Sequence, residues 1–268
     1  MSRIEKRFND LRTRGGKGFI PFVTAGDPDL ATSFEICLKL AELGADVIEL
    51  GVPFSDPMAD GPTIQRSSQR ALEQDVTLND VLKLAGDIRK QSDVAIVLFS
   101  YFNPILRMRI DEFTRAAKSS GIDGLLLTDV IDDEAEKISA KLGEHEIDLI
   151  SLVAPTSTDA RLEAISKTAR GFIYAVSRAG VTGAQTTVSD EAEKLVARTR
   201  KFTDLPIAVG FGISTAEQIR DVWRFADAAV VGSAIVAEIE RHPNHAVEAV
   251  GSFVRQLLPP VANAGIDT

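Results

Sequence analysis

A glutamate inside an apolar run is the residue of this sequence best suited to acid–base chemistry. Glu49 lies between Ile48 and Leu50 in the segment VIELG, a pattern typical of a buried strand. A charge there is costly unless it is paired, hydrogen-bonded or used in chemistry. Strand alternation directs Ile48 and Leu50 to one side and Glu49 to the other. Because no predicted strand contains Lys or Arg, a functional carboxylate with a raised pKa is favoured over a buried ion pair.

A second carboxylate follows in the loop after this strand. The segment GVPFSDPMADGP holds Asp56 and Asp60 and is longer than a plain strand-to-helix connection requires. Asp60 precedes Gly61 and Pro62, which signal a helix start, and taken alone it is better explained as a helix-capping residue. Asp56 is predicted to be a turn or surface residue.

Three glycine-containing segments in the second half of the chain indicate an anion site. SRAGVTGAQ, VGFGIST and VGSAIV each follow an apolar run. Gly212 and Gly232 would let a ligand approach the backbone, and Ser233 is expected to cap a short helix over 234–239. The free amides of such a helix start bind phosphate readily. Glycines that merely end strands are the alternative, but three such segments together favour phosphate binding.

These segments depend on eight predicted strands that alternate with amphipathic helices. The strands cover residues 19–24, 47–51, 95–100, 124–128, 148–153, 171–177, 206–210 and 228–232. They are apolar runs, as expected for a parallel sheet covered on both faces. Weak similarity between AELGADVIELG and RFADAAVVGSA fits repeated βα units. The pattern predicts one (β/α)8 TIM barrel domain over residues 1–268, with its active site at the carboxyl ends of the strands. A doubly wound sheet is the alternative, but FVTAGDPD lacks its GxGxxG fingerprint.

Composition narrows the class of function. The 268 residues are 44% hydrophobic, with a formal net charge of −9 and a pI of about 5.0. This acidic balance argues against nucleic-acid and anionic-membrane binding, and no apolar run approaches the ~20 residues of a membrane span. No secretory signal is expected, and the single cysteine, Cys37, fits a reducing cytoplasm. The three histidines lack ligand spacing, so no metal site is expected.

Six sequence blocks, in order, carry a resemblance to a known family. PFVTAGDP, ELGVPFSDPMADGPTIQ, YFNPI, SRAGVTG, GFGIS and GSAIV closely resemble blocks of the tryptophan synthase α subunit. The resemblance covers nearly the whole chain. It implies a lyase of tryptophan biosynthesis that cleaves indole-3-glycerol phosphate to indole and glyceraldehyde 3-phosphate, with no metal and no cofactor of its own. It also implies an α2β2 complex with a β subunit that carries pyridoxal phosphate.

The resemblance further implies a role for individual residues. Glu49 would move protons, Asp60 would stabilise positive charge on the indole N–H, and Thr182 would hold Asp60 in the closed state. The residues implied to line the indole pocket are Phe22, Tyr101, Leu126 and Tyr174. From the residues alone, core packing of the three aromatic side chains is an equally good interpretation. The residues implied to bind phosphate are Gly183, Phe211, Gly212, Gly232 and Ser233.

Two segments, about 53–61 and 179–190, look like the lid loops of the family. One position departs from its pattern: Ile131 stands two residues after Asp129, where the family commonly has proline. Ile131 lacks the rigid turn that a proline would impose on that loop, and the roles implied for the two carboxylates are unaffected. The alternatives to this interpretation are a stand-alone lyase on the same scaffold, another phosphate-binding barrel isomerase, and a non-catalytic regulatory subunit.

Overall fold

Eight parallel strands form a closed barrel in sequence order, which confirms the predicted (β/α)8 TIM barrel. The structure is a computed structural model that describes residues 1–176, 185–210 and 212–258. The strands are β1 (Gly18–Thr24), β2 (Val47–Gly51), β3 (Ala95–Ser100), β4 (Gly124–Leu127), β5 (Asp148–Val153), β6 (Ile173–Val176), β7 (Ile207–Gly210) and β8 (Ala228–Val231). All eight predicted strands are present, and they differ from the prediction only at their ends.

Twelve α-helices in the described ranges surround the strands. They are α1 (Arg3–Thr13), α2 (Leu30–Glu42), α3 (Pro62–Leu72), α4 (Leu78–Arg89), α5 (Phe102–Met108), α6 (Ile110–Ser119), α7 (Asp132–Gly143), α8 (Asp159–Thr168), α9 (Gln185–Thr199), α10 (Ala216–Phe225), α11 (Ser233–Arg241) and α12 (Ala246–Leu257). Side-chain caps at Asp29, Thr77, Thr158 and Thr215 fix four helix starts. Among the described residues, no helix is long and apolar enough to cross a membrane.

Alternation along each strand produces two apolar layers. Val47 and Val97 belong to the cluster inside the barrel. Ile48 and Leu50 belong to the larger cluster between the strands and the helices. Glu49 therefore faces the barrel interior, as the sequence predicts, because side chains alternate between the two faces of a strand.

Aspartates at the amino ends of strands accept hydrogen bonds from backbone N–H groups of neighbouring strands at the bottom of the barrel. Asp46 accepts the Phe19 N–H at 2.7 Å, and Asp227 accepts the Ile207 N–H at 2.8 Å. These two aspartates occupy corresponding places in the similar segments AELGADVIELG and RFADAAVVGSA. Helix α1 packs its buried face against the inner cluster at this end. The opposite end, where the strands terminate, is the end left for ligands.

A strained junction between α5 and α6 gives a testable prediction of stability. Arg109 has φ 71° and ψ 131°, a region that glycine adopts far more readily than any other residue. We expect Arg109→Gly to raise the free energy of unfolding by roughly 1 kcal/mol, because relief of strain exceeds the added chain entropy. Urea denaturation measures the change. The control Arg107→Gly, inside α5, should destabilise by a similar amount, and a loss of stability in Arg109→Gly would show that the junction is not strained.

Candidate active site

Glu49 is buried at the centre of the site. Glu49 is 1% exposed, and the strand register places it between Phe22 on β1 and Val97 on β3. Its Oε1 atom has no hydrogen-bond partner among the described residues. Burial raises the pKa of Glu49 to about 8. The carboxyl group therefore carries a proton at neutral pH and is suited to donate it to a bound molecule.

Asp60 is held by the phenol of Tyr101 rather than by a helix start. The Tyr101 hydroxyl donates to Asp60 Oδ2 at 3.2 Å and accepts the Ala59 N–H at 2.8 Å. Gly61 caps α3 without a side-chain bond, so the capping interpretation of Asp60 is wrong. Burial raises the pKa of Asp60 to about 6, and the hydrogen bond from Tyr101 opposes this rise. Asp60 is thus ionised at neutral pH.

The hydroxyl group of Tyr101 stays protonated and keeps its donor role. Burial, followed by the negative charge of Asp60, raises the pKa of Tyr101 to about 12. The ring of Tyr101 stacks on Phe54, with centroids 4.9 Å apart. Asp56, in the same loop, is exposed and accepts from Ser55, which agrees with its prediction as a surface residue.

The ring of Tyr174 packs against the apolar cluster inside the barrel. Burial raises its pKa well above the ordinary value, and the charges of Glu49 and Asp60 add to the rise. The phenol of Tyr174 therefore stays protonated at neutral pH. A Cβ atom on Gly210 would lie 2.4 Å from the Tyr174 hydroxyl oxygen. Glycine at this position is required for the observed placement of the ring.

Apolar side chains form the wall next to Glu49. Leu126 belongs to the inner cluster, and Tyr174 and Phe99 pack against that cluster. Phe22 meets Phe99 edge to face, with ring centroids 5.3 Å apart. A Cβ atom on Gly51 would lie 2.6 Å from the ring of Phe22. Phe99 and the two space-making glycines at 51 and 210 were not predicted from the sequence, because only the packed barrel shows which ring each of them contacts.

The start of α11 presents backbone amides at the same end of the barrel. Gly232 is its N-cap residue and Ser233 is its first helical residue, with no side-chain cap. The prediction that Ser233 caps this helix is therefore wrong by one position. Gly212 has φ 56°, which lies in the left-handed region that favours glycine. Amides of the first helical turn have no partner within the helix and attract anions.

The remaining predicted phosphate and lid residues lie partly outside the described ranges. Thr182, Gly183 and Phe211 are outside them, as is the stretch 179–184 of the predicted second lid, whereas 185–190 begin α9. No group of three or more His, Cys, Asp and Glu side chains in the described ranges is arranged to hold a metal ion.

The tryptophan synthase alpha chain family model matches residues 8–258. The chain belongs to this family. An alpha chain from Citrifermentans bemidjiense is 47% identical over 258 residues, which are 96% of this chain and 97% of the relative. An alpha chain from Acidiphilium cryptum is 45% identical over 263 residues, which are 98% of this chain and 95% of the relative.

Solved structures of tryptophan synthase agree with the fold. A tryptophan synthase subunit alpha from Legionella pneumophila has a TM-score of 0.88 and 33% identity, with 96% of this chain and 97% of that chain covered. An aminoacrylate-bound tryptophan synthase from M. tuberculosis has a TM-score of 0.86 and 34% identity, with 96% of this chain and 100% of that chain covered. Both comparisons span nearly the whole barrel.

Membership of the tryptophan synthase alpha chain family establishes the reaction. The enzyme is a carbon–carbon lyase that cleaves indole-3-glycerol phosphate to indole and glyceraldehyde 3-phosphate in tryptophan biosynthesis. The alpha chain needs no cofactor itself, and pyridoxal phosphate resides in the β subunit. The regulatory-subunit and isomerase alternatives are therefore wrong.

The loop that contains Ile131 is anchored next to the site. Asp129 Oδ1 accepts the N–H of Phe102, the residue after Tyr101, at 2.9 Å. Ile131 is 56% exposed and is the N-cap residue of α7, without a side-chain cap. Asp129 thus ties the β4–α7 loop to the start of α5, while Ile131 presents an apolar surface to solvent.

The buried state of Glu49 predicts a pH-dependent stability of this alpha chain. Its pKa rises from 4.5 to about 8 on folding, so the folded protein binds this proton more strongly than the unfolded chain does. The resulting stabilisation is present below pH 4.5 and is lost as the pH rises through about 8. The free energy of unfolding of Glu49→Gln, relative to that of the wild type, should therefore increase by at least about 2 kcal/mol when the pH is raised from 5 to 8.5.

Urea denaturation at both pH values measures this gain in the free energy of unfolding. The control Glu146→Gln removes an exposed carboxylate whose pKa is lowered by Lys118. It should show no gain at high pH. A pH-independent difference between Glu49→Gln and the wild type would mean that Glu49 ionises at its ordinary pKa.

Proposed function

We propose that Glu49 and Asp60 have separate roles in the cleavage of indole-3-glycerol phosphate: Glu49 transfers protons and Asp60 supplies a negative charge. The observation that carries this proposal is the carboxyl group of Glu49, which is buried inside the barrel and whose Oε1 atom has no partner among the described residues, together with the half-buried Asp60, which accepts from Tyr101. Burial raises the pKa of Glu49 to about 8 and that of Asp60 to about 6. Near pH 7 one group is protonated and the other is charged. Environments that separate two carboxyl pKa values in this way assign an acid role and an anion role.

The reaction needs two proton transfers. Glu49 gives its proton to C3 of the indole ring, which turns the ring into an electron acceptor. The Glu49 carboxylate then takes the proton of the glycerol hydroxyl next to the bond that breaks. The electron pair of the carbon–carbon bond returns to the ring, and indole and the aldehyde separate. During this sequence positive charge develops on the indole N–H, and Asp60 stabilises it electrostatically.

The apolar wall holds the indole ring. Phe22, Leu126 and Tyr174 surround the interior next to Glu49, and flat aromatic surfaces favour an indole partner. Tyr101 contributes its ring to this end of the barrel and also orients Asp60. Thr182, from the loop after β6, is proposed to hold Asp60 when the loop closes.

The phosphate group binds where the last three βα loops meet. The proposed contacts are Gly183, Phe211, Gly212, Gly232 and Ser233. Support comes from the uncapped amides of α11 and the left-handed Gly212. Since the chain carries a formal net charge of −9, local amides rather than bulk charge must attract the anion.

Gly212→Leu tests the phosphate site. A side chain at φ 56° is strained and would occupy the space of the phosphate oxygens. We expect the affinity for glycerol 3-phosphate to fall at least about tenfold, while the affinity for free indole stays nearly unchanged. Isothermal titration calorimetry measures both. Gly143→Leu is the control, because a Cβ atom there meets nothing within 4 Å. Equal losses for both ligands would indicate collapse of this end of the barrel instead.

The proposed partner is the β subunit, in an α2β2 complex. The lid segments 53–61 and 179–190 are proposed to exclude water from the site and to contact this subunit. A groove of about 590 Å³ lies beside the first lid, between that loop and α5. Exposed apolar side chains are found nearby at Met58 on the lid and Leu106 on α5. Cytoplasmic location is also proposed, supported by the single, buried Cys37.

Incubation with indole-3-glycerol phosphate, with and without a β subunit, tests the function and the assembly. Release of indole alone supports the proposed reaction, and its acceleration by the β subunit supports the complex. Indole release that the β subunit leaves unchanged would favour a stand-alone lyase. A protein that releases no indole under either condition would contradict the proposed site.

A further inference from the structure

Helix α3 carries the segment that ends in Asp60. It begins at Pro62, two residues after Asp60, and its Gln65 side chain donates back to the Asp60 carbonyl at 2.9 Å. The buried Ser67 hydroxyl lies 2.7 Å from the hydroxyl of Thr24 at the end of β1. The Ser67–Thr24 contact fixes α3 to β1, and the Gln65 bond fixes Asp60 to α3, so the position of α3 determines the position of Asp60.

Two arginines join α3 to its surroundings. Arg70 donates to both oxygens of Asp27 at 2.8 Å and to Glu240 at 2.9 Å. Arg66 donates to both oxygens of Glu240 at 2.7 Å. The planar fork of arginine makes such paired contacts directional as well as strong. Asp27, which lies in the loop after β1, is 1% exposed. Arg70 therefore binds a buried carboxylate at this end of its contacts.

Glu240 lies on α11, the helix whose first turn forms the proposed phosphate site. Seven residues, or roughly 10 Å of helix, separate Ser233 from Glu240. The hydrogen bond from Arg66 lowers the pKa of Glu240 to about 2, so this carboxylate is charged throughout the working pH range. Helices α3 and α11 also pack against each other.

We propose that Arg70 and Glu240 are positioning residues, which couple phosphate binding at the start of α11 to the placement of Asp60. A short helix moves as a unit, so an adjustment of α11 around the phosphate is transmitted by Glu240 to the two arginines. Helix α3 then carries the adjustment to Asp60. This inference rests on the phosphate site proposed above. It gives the substrate phosphate a second effect, since a remote group of the substrate helps to set the catalytic geometry.

Glu240→Ala is the informative variant. Removal of Asp27 or Arg70 would leave a buried charge unpaired and threaten the fold, whereas Glu240 is 29% exposed. The matched control is Glu238→Ala. Glu238 is on the same helix but pairs with Arg241 and His242 near the end of that helix. Glu240→Gln, which retains a hydrogen-bond acceptor, serves as the conservative variant.

Hydrogen–deuterium exchange with glycerol 3-phosphate as the probe measures the coupling. In the wild type, the ligand should slow exchange at the start of α11 and also, at least about threefold, in segment 53–61. Glu240→Ala should keep the first effect and lose the second. Its kcat for indole release should fall about three- to tenfold with KM changed less than twofold. Glu238→Ala should behave as the wild type, and Glu240→Gln should restore part of the coupling.

The outcomes separate the inference from the function on which it rests. Protection of α11 without protection of 53–61 in the wild type overturns the coupling and leaves the phosphate site intact. Full protection of 53–61 in Glu240→Ala overturns it as well. Absence of protection at α11 in the wild type overturns the phosphate site, and the coupling with it. A lower melting temperature of Glu240→Ala with unchanged kcat and protection would assign these arginines a purely structural role.

Discussion

Glu49→Gln is expected to release indole at least ~100-fold more slowly than the wild type while the barrel remains folded. An amide cannot give a proton to the indole ring or take one from the glycerol hydroxyl. Glutamine has nearly the size of glutamate, so the buried space between Phe22 and Val97 stays filled. The variant therefore removes the proton transfer and little else.

Steady-state indole release measures this loss, and circular dichroism confirms the fold. Calorimetric titration with glycerol 3-phosphate should give the wild-type affinity, because the proposed phosphate contacts lie on the loops after other strands. Near-normal turnover in a correctly folded Glu49→Gln variant would mean that another group moves the protons.

The inward direction of Glu49 was predictable because it depends on local alternation alone. Val47, Ile48 and Leu50 surround it in sequence, and their distribution between the two apolar clusters follows the pattern of a strand buried on both faces. The eight strand positions were predictable for the same reason. Each apolar run is short, continuous and bounded by residues that stop or cap helices.

The environment of Asp60 was not predictable, because it depends on contacts between distant parts of the chain. Tyr101, which holds Asp60, lies 41 residues further along the chain. Arg66 and Glu240 are separated by 174 residues, and no periodicity links them. The misplaced cap at Ser233 has a backbone cause: Gly232 adopts φ −113° and ψ −81° and begins the helix without a side-chain bond. Preferences for serine at caps cannot detect this.

Asp60→Asn is expected to lower kcat at least ~100-fold and to leave KM nearly unchanged. Asparagine retains an oxygen that accepts from Tyr101, so the loop geometry is kept and only the negative charge is removed. That charge matters in the transition state, when the indole N–H becomes positive, and hardly at all in the bound substrate. The effect should therefore fall on turnover rather than on binding.

The pH dependence of kcat distinguishes a charge effect from a loss of shape. Because the pKa of Asp60 is about 6, wild-type kcat should decline below pH 6 as the carboxylate is protonated. The residual activity of Asp60→Asn should lack this decline, since its amide does not titrate. Asp56→Asn, on the same loop but exposed, should keep both the turnover and the acid limb of the isolated chain. If Asp60→Asn instead lost affinity for substrate and kept its kcat, Asp60 would be an anchor for the bound substrate, and another anion would have to stabilise the charge on the indole ring.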